Sequence, residues 1–66
     1  KRQVLRMQGW VTVDVKKVIE TINRYGRLKV LDERELVVEV DNEGNYEKLN
    51  NDILDGFGDQ LNLEKI

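Results

Sequence analysis

The sequence predicts an α+β domain of two layers, and three observations predict it. The stretch Asp14 to Gly26 carries a complete set of helix signals. Segments on both sides of it alternate apolar and polar residues with the period of two that marks a half-buried strand. A second amphipathic stretch begins near Asp41, and one more alternating run closes the chain. The resulting order is strand, helix, strand, strand, helix, strand. Two helices laid on one face of a four-stranded sheet satisfy that order most economically. This is the ferredoxin-like βαββαβ sandwich, with the first and third strands expected at the centre.

The first strand is expected over Gln3 to Gln8, with Leu5 and Met7 on one face and Val4, Arg6 and Gln8 on the other. Lys1 and Arg2 precede it as a frayed basic end. Gly9 interrupts an extended pattern that resumes at Trp10, Val11, Thr12 and Val13. Two arrangements fit. Gly9 is a bulge in one long strand running into the helix, or Gln8-Gly9 is a tight turn between two short strands. The second arrangement makes the order ββαββαβ with a hairpin at Gln8-Gly9. The sequence favours the bulge slightly.

In the first helix Val15, Val18, Ile19, Ile22 and Tyr25 form one apolar stripe, and Lys16, Lys17, Glu20, Asn23 and Arg24 fill the other face. Asp14 is placed to cap the first turn and Arg24 to offset the dipole of the last. Gly26 stands where a left-handed backbone commonly ends a helix. Leu28 and Val30 are expected to face the helices, with Lys29 and Leu31 turned away. Asp32 to Glu35 then forms a four-residue connection to a strand in which Leu36, Val38 and Val40 alternate with Val37 and Glu39.

The cap-rich run Asp41 to Asn45 starts the second helix, which is expected to reach about Gly56 with Tyr46, Leu49, Ile53, Leu54 and Phe57 as its stripe. Asp52, Asp55 and Asp59 oppose the dipole at its end, so Asp55 to Asp59 is expected as a loose connection. Gln60 to Ile66 is the last strand, with Leu61 and Leu63 inward.

Composition narrows the function. The 66 residues make one domain, 1–66, with a core of marginal size. Starting at Lys1 rather than methionine, the chain is expected to be a domain excised or trimmed from a longer one. There is no cysteine to form disulfides or thiolate metal sites. No apolar run approaches a membrane span and no signal peptide is visible, so a cytoplasmic location with no membrane contact is expected. Histidine, serine, proline and alanine are absent as well, which removes the usual nucleophiles and the neutral-pH titrating group. The expectation is a non-enzyme with no cofactor and no metal. The alternation Asp41, Glu43, Asn45, Glu47 resembles calcium-loop ligands, but its glycine is misplaced and no closing glutamate follows.

Charge is unevenly divided. Residues 1–31 carry eight cations against two carboxylates, a net of +6, and residues 32–66 carry three against eleven, a net of −8. Opposite charges facing across paired strands and neighbouring helices are the plainest account. A bipolar molecule can also pair with a copy of itself. The open face of the sheet, as read from the sequence, carries Val4, Arg6, Gln8, Lys29, Leu31, Val37 and Glu39. It has no aromatic ring for stacking bases.

The expected function is therefore a protein–protein interaction or self-association module. Its contact residues are Val4, Arg6, Lys29, Leu31, Val37 and Glu39, with Trp10 at the margin as an anchor unless it plugs the core. The alternative is a nucleic-acid-binding domain using Arg6, Lys16, Lys17, Arg24, Arg27 and Lys29.

Overall fold

A computed structural model describes residues 2–66; Lys1, with its part of the expected basic end, lies outside them. The elements are β1 (Gln3–Gln8), α1 (Val15–Tyr25), β2 (Gly26–Leu31), β3 (Leu36–Val40), α2 (Glu43–Phe57) and β4 (Asn62–Lys65), with short 3-10 turns at Trp10–Thr12 and Gly58–Gln60. The strands form one antiparallel sheet in the order β2-β3-β1-β4, so the first and third strands are central, as the ferredoxin-like arrangement requires. Both helices lie on one face.

The core sits between the layers. Leu5 and Met7 of β1 and Leu36, Val38 and Val40 of β3 meet Val18 and Ile22 of α1 and Leu49 and Ile53 of α2. Leu61 and Trp10 close its ends. Asp14 caps α1 by accepting a bond from the Lys16 amide at 3.1 Å, and Asn42 caps α2 through the Asn45 amide at 2.9 Å. No helix among the described residues is long and apolar enough to cross a membrane.

Five local expectations are corrected. Beyond Gln8 the chain neither continues as a bulged strand nor turns back as a hairpin, so the ββαββαβ alternative is not adopted. Gly9 takes a left-handed backbone, φ 82°, and Trp10–Thr12 coils into a 3-10 turn. A Cβ at Gly9 would stand 2.4 Å from the Gln60 carbonyl oxygen. This tight turn swings Trp10 into the core, where 9% of it remains exposed. Trp10 is thus the plug at the end of the core and not an exposed anchor at the margin of the open face.

Gly26 is extended, with φ −163°, and begins β2 directly after α1. The glycine answers to proximity instead: a Cβ there would lie 2.2 Å from the Glu39 carbonyl oxygen. Third, the register of β2 on β3 shifts between Leu28 and Val30. Leu28 pairs with buried Val38, whereas Val30 pairs with Val37 and Leu31 with buried Leu36. The bulge at Lys29 therefore reverses the expected alternation, placing Val30 on the open face and Leu31 on the helix side of the exposed edge strand.

Fourth, α2 continues through Asp55 and Gly56 to Phe57, because Phe57 packs against the core and the Gly58 amide closes the last turn on Leu54. Leu54 itself is off the stripe, one residue and about 100° from Ile53, and is 52% exposed. Fifth, the final strand begins at Asn62. Gln60 belongs to the 3-10 turn, and Leu61 is buried just ahead of the strand.

Candidate functional site

Both helices pack on one face of the sheet, and among the described residues no element covers the other. Antiparallel pairing fixes who stands on it. Val4 lies opposite Glu39, and Arg6 opposite Val37 on one side and Glu64 on the other. Arg27 pairs with Glu39 and Val30 with Val37 at the β2 edge. The Ile66 amide donates to the Val4 carbonyl at 3.0 Å, which extends the β4 register and sets Ile66 beside Val4. Val30, Val37, Val4 and Ile66 thus form one oblique aliphatic stripe that crosses from the β2 edge to the β4 edge. Val4 is 38%, Val30 42% and Ile66 67% exposed.

Charges flank the stripe and largely answer one another. Glu39 receives Lys29 at 3.9 Å and Arg2 at 3.8 Å, and Arg6 pairs with Glu35 at 3.6 Å. Glu64 accepts a hydrogen bond from the Gln8 amide at 2.8 Å. Four of the five ion pairs among the described residues join the basic first half to the acidic second half, the fourth being Arg24–Asp52 between the helices at 3.5 Å. Exposed pairs of this kind contribute about 0–1 kcal/mol each. Part of the uneven charge along the sequence is thus brought into neighbouring pairs.

Of the residues named from sequence, Val4, Arg6, Lys29, Val37 and Glu39 are brought together on this face. Leu31 and Trp10 are not. Sequence reasoning missed Val30, Ile66 and Glu64. Val30 was hidden by the bulge, and Ile66 and Glu64 depend on where β4 aligns with β1. The six cations of the nucleic-acid alternative divide between two sides of the molecule. Arg6, Arg27 and Lys29 belong to the open face, and Lys16, Lys17 and Arg24 to α1 in the opposite layer. Arg6, Arg24 and Lys29 also already hold carboxylates. The two sets lie in different layers of the fold.

A second candidate is the furrow between the helices, of about 430 Å³, walled by Lys17, Glu20, Thr21 and Arg24 on α1 and by Asp52, Asp55, Gly56 and Phe57 on α2. Part of its polar lining is already engaged, Arg24 with Asp52 at 3.5 Å. The Tyr25 hydroxyl donates to Asp52 at 2.7 Å, and that bond, with burial and the nearby negative charge, raises the phenol above its ordinary 10.0. Such a phenol is a poorer source of phenolate at neutral pH. The Thr21 hydroxyl donates to the Lys17 carbonyl at 2.9 Å. Among the described residues no three potential metal ligands converge. In the Asp41–Glu47 stretch Asn42 serves as a cap, and Glu43 accepts from the Lys65 ammonium at 2.7 Å. The chain matches no protein-family model, no curated protein and no solved structure.

Proposed function

We propose that this domain is a non-catalytic protein-interaction module that works through the open face of its sheet, against a protein partner or a second copy of itself. The observation that carries the reading is the contiguous stripe Val30, Val37, Val4 and Ile66, one position on or beside each strand, left uncovered by the fold. Scattered surface aliphatics need no explanation, but a continuous apolar band rimmed by charge is the composition of a contact surface. The charges around it support a protein over a nucleic acid. Arg2, Arg6, Arg27 and Lys29 face Glu35, Glu39 and Glu64, an almost balanced set, where a phosphate backbone calls for a cationic excess. The catalytic reading has less to build on, since Tyr25 and Asp52 are bonded to each other and the chain has no histidine, serine or cysteine.

A photo-crosslinking side chain placed at Val37 tests this, with Leu54 on the exposed flank of α2 as the control position. The proposal expects protein adducts from position 37 and few from position 54, in purified protein or in a cell lysate. Adducts from position 54 alone, or from neither, would overturn it.

A further inference from the structure

We propose that a hollow at one end of the sheet binds a small organic anion, a carboxylate carried on an apolar body. The hollow, of about 300 Å³, lies where β1 runs into the 3-10 turn and the connection 32–35 comes alongside. Met7, Trp10 and Val11 give its apolar lining, and Arg6, Glu33 and Arg34 its charges. None of the four residues of the open-face stripe lines it. The site is therefore distinct from the contact surface proposed above.

Two observations point to a ligand. The first is a donor without an acceptor. Only 9% of Trp10 remains exposed, and a buried indole N–H ordinarily finds a hydrogen-bond partner. Among the described residues this one donates to none. No wholly buried polar side-chain atom there is left unpaired, so the N–H belongs to the small part of Trp10 that is still open. Trp10 lines the hollow, and a ligand oxygen seated there can accept from it. The second is a cation without a carboxylate. Arg34 forms no ion pair among the described residues, whereas Arg6 already meets Glu35 at 3.6 Å. A guanidinium matches the two oxygens of a carboxylate with two parallel N–H donors.

Local bonds hold the two walls in place. The Asp32 carboxylate accepts from the Arg34 and Glu35 amides at 2.8 and 2.7 Å, which fixes the connection that carries Arg34. The Thr12 hydroxyl donates to the Gly9 carbonyl at 2.8 Å, which fixes the turn that carries Trp10. The rest of the lining decides which anion fits. Val11 is 64% exposed beside the edge of the core, a surface that an apolar ligand body would cover. Small-molecule sites span about 300–1,000 Å³, and the hollow stands at the lower end, enough for one ring or a short chain. Glu33 on the rim repels a second negative charge, which favours a monocarboxylate over a phosphate dianion.

Trp10 is the only tryptophan in the chain, so its fluorescence reports on the hollow directly. The probe is phenylacetate, with phenethylamine and acetate as controls at matched ionic strength. Phenylacetate should change the emission saturably, with a half-point on the order of 1 mM, as suits so small a ligand. Both controls should bind at least about tenfold more weakly, one for want of the charge and the other of the ring. Arg34→Gln should weaken phenylacetate about fivefold or more, and Glu33→Gln should leave it as tight or tighter. Position 34 is exposed and outside the core, and circular dichroism confirms that both variants are folded. Amide NMR should place the shifts at Gly9, Val11 and Arg34. A linear, unsaturable quench overturns the proposal, as does phenethylamine binding equally well. So do full binding by Arg34→Gln, weaker binding by Glu33→Gln, or shifts centred on Val37.

Discussion

The two faces of the sheet are built from the same strands, one residue out of step, and they differ in nearly every physical respect. On the helix side Leu5, Met7, Leu36, Val38 and Val40 are almost wholly excluded from water. On the other side their immediate neighbours Val4, Arg6, Val37 and Glu39 remain partly or largely exposed, and the polar ones sit in loose ion pairs, Arg6 with Glu35 and Glu39 with Arg2 and Lys29. The first face accounts for stability. The second contributes little to it, because surface aliphatics and exposed ion pairs are each worth a small fraction of a buried leucine. An apolar stripe that does little for the isolated fold is the kind of surface a partner can use.

The largest break in this comparison is expected at adjacent positions of β1. Leu5→Ala should lower unfolding free energy by about 3 kcal/mol, since it leaves a cavity in a closed core. Val4→Ala, one residue away, should change it by about 0.5 kcal/mol or less. Denaturant titration of both variants measures the difference, and equal effects would show that the open face is structural after all. Next in size is a pair of glycines. Gly26→Ala pushes a methyl against the Glu39 carbonyl and the Val40 side chain and should cost about 2–3 kcal/mol. Gly56→Ala meets nothing within 4 Å on the exposed side of α2, and should stabilise by about 0.5–1 kcal/mol through helix propensity alone.

The smallest expected effect is at alkaline pH. Tyr25 is raised chiefly by its hydrogen bond to Asp52, and Lys65 chiefly by its bond to Glu43, each from its ordinary 10.0 or 10.5. A group whose folded pKa is raised contributes stability that is complete below its unfolded value and fades as pH climbs through the folded one. Stability should therefore be level across the neutral range in respect of these two groups and decline above about pH 10. Tyr25→Phe removes one share of that decline, which thermal melts between pH 8 and 11 would reveal.

Much of the fold was legible because periodicity and capping agree. Asp14, the Val15-Val18-Ile22-Tyr25 stripe and the alternation Leu36, Val38, Val40 fix α1 and the inner face of β3 without reference to anything distant. What escaped depends on contacts between segments far apart in sequence. Gly9 and Gly26 look like ordinary punctuation until the Gln60 and Glu39 carbonyls are seen beside them. The bulge at Lys29 leaves no mark in the residues around it, yet it exchanges Val30 for Leu31 on the open face. The helical state of Asp55–Phe57 was obscured by its poor end charges, which packing of Phe57 outweighs. Of the candidate site, the central part (Val4, Arg6, Val37 and Glu39) could be read from alternation alone. Its margins at Val30, Glu64 and Ile66 could not, because they depend on register.

The central claim is that the open face is the contact surface. It is tested most directly by methyl and amide NMR of the unlabelled surface chemistry, the native chain, diluted from millimolar to micromolar concentration. The account predicts shifts confined to Val4, Val30, Val37, Ile66 and their neighbours, on dilution if a second copy is the partner and on titration with the protein captured at position 37 if it is not, with Val11 and Leu54 unmoved. Shifts centred on Val11 or Leu54, or spectra that do not change with concentration while position 37 captures no partner, would contradict it.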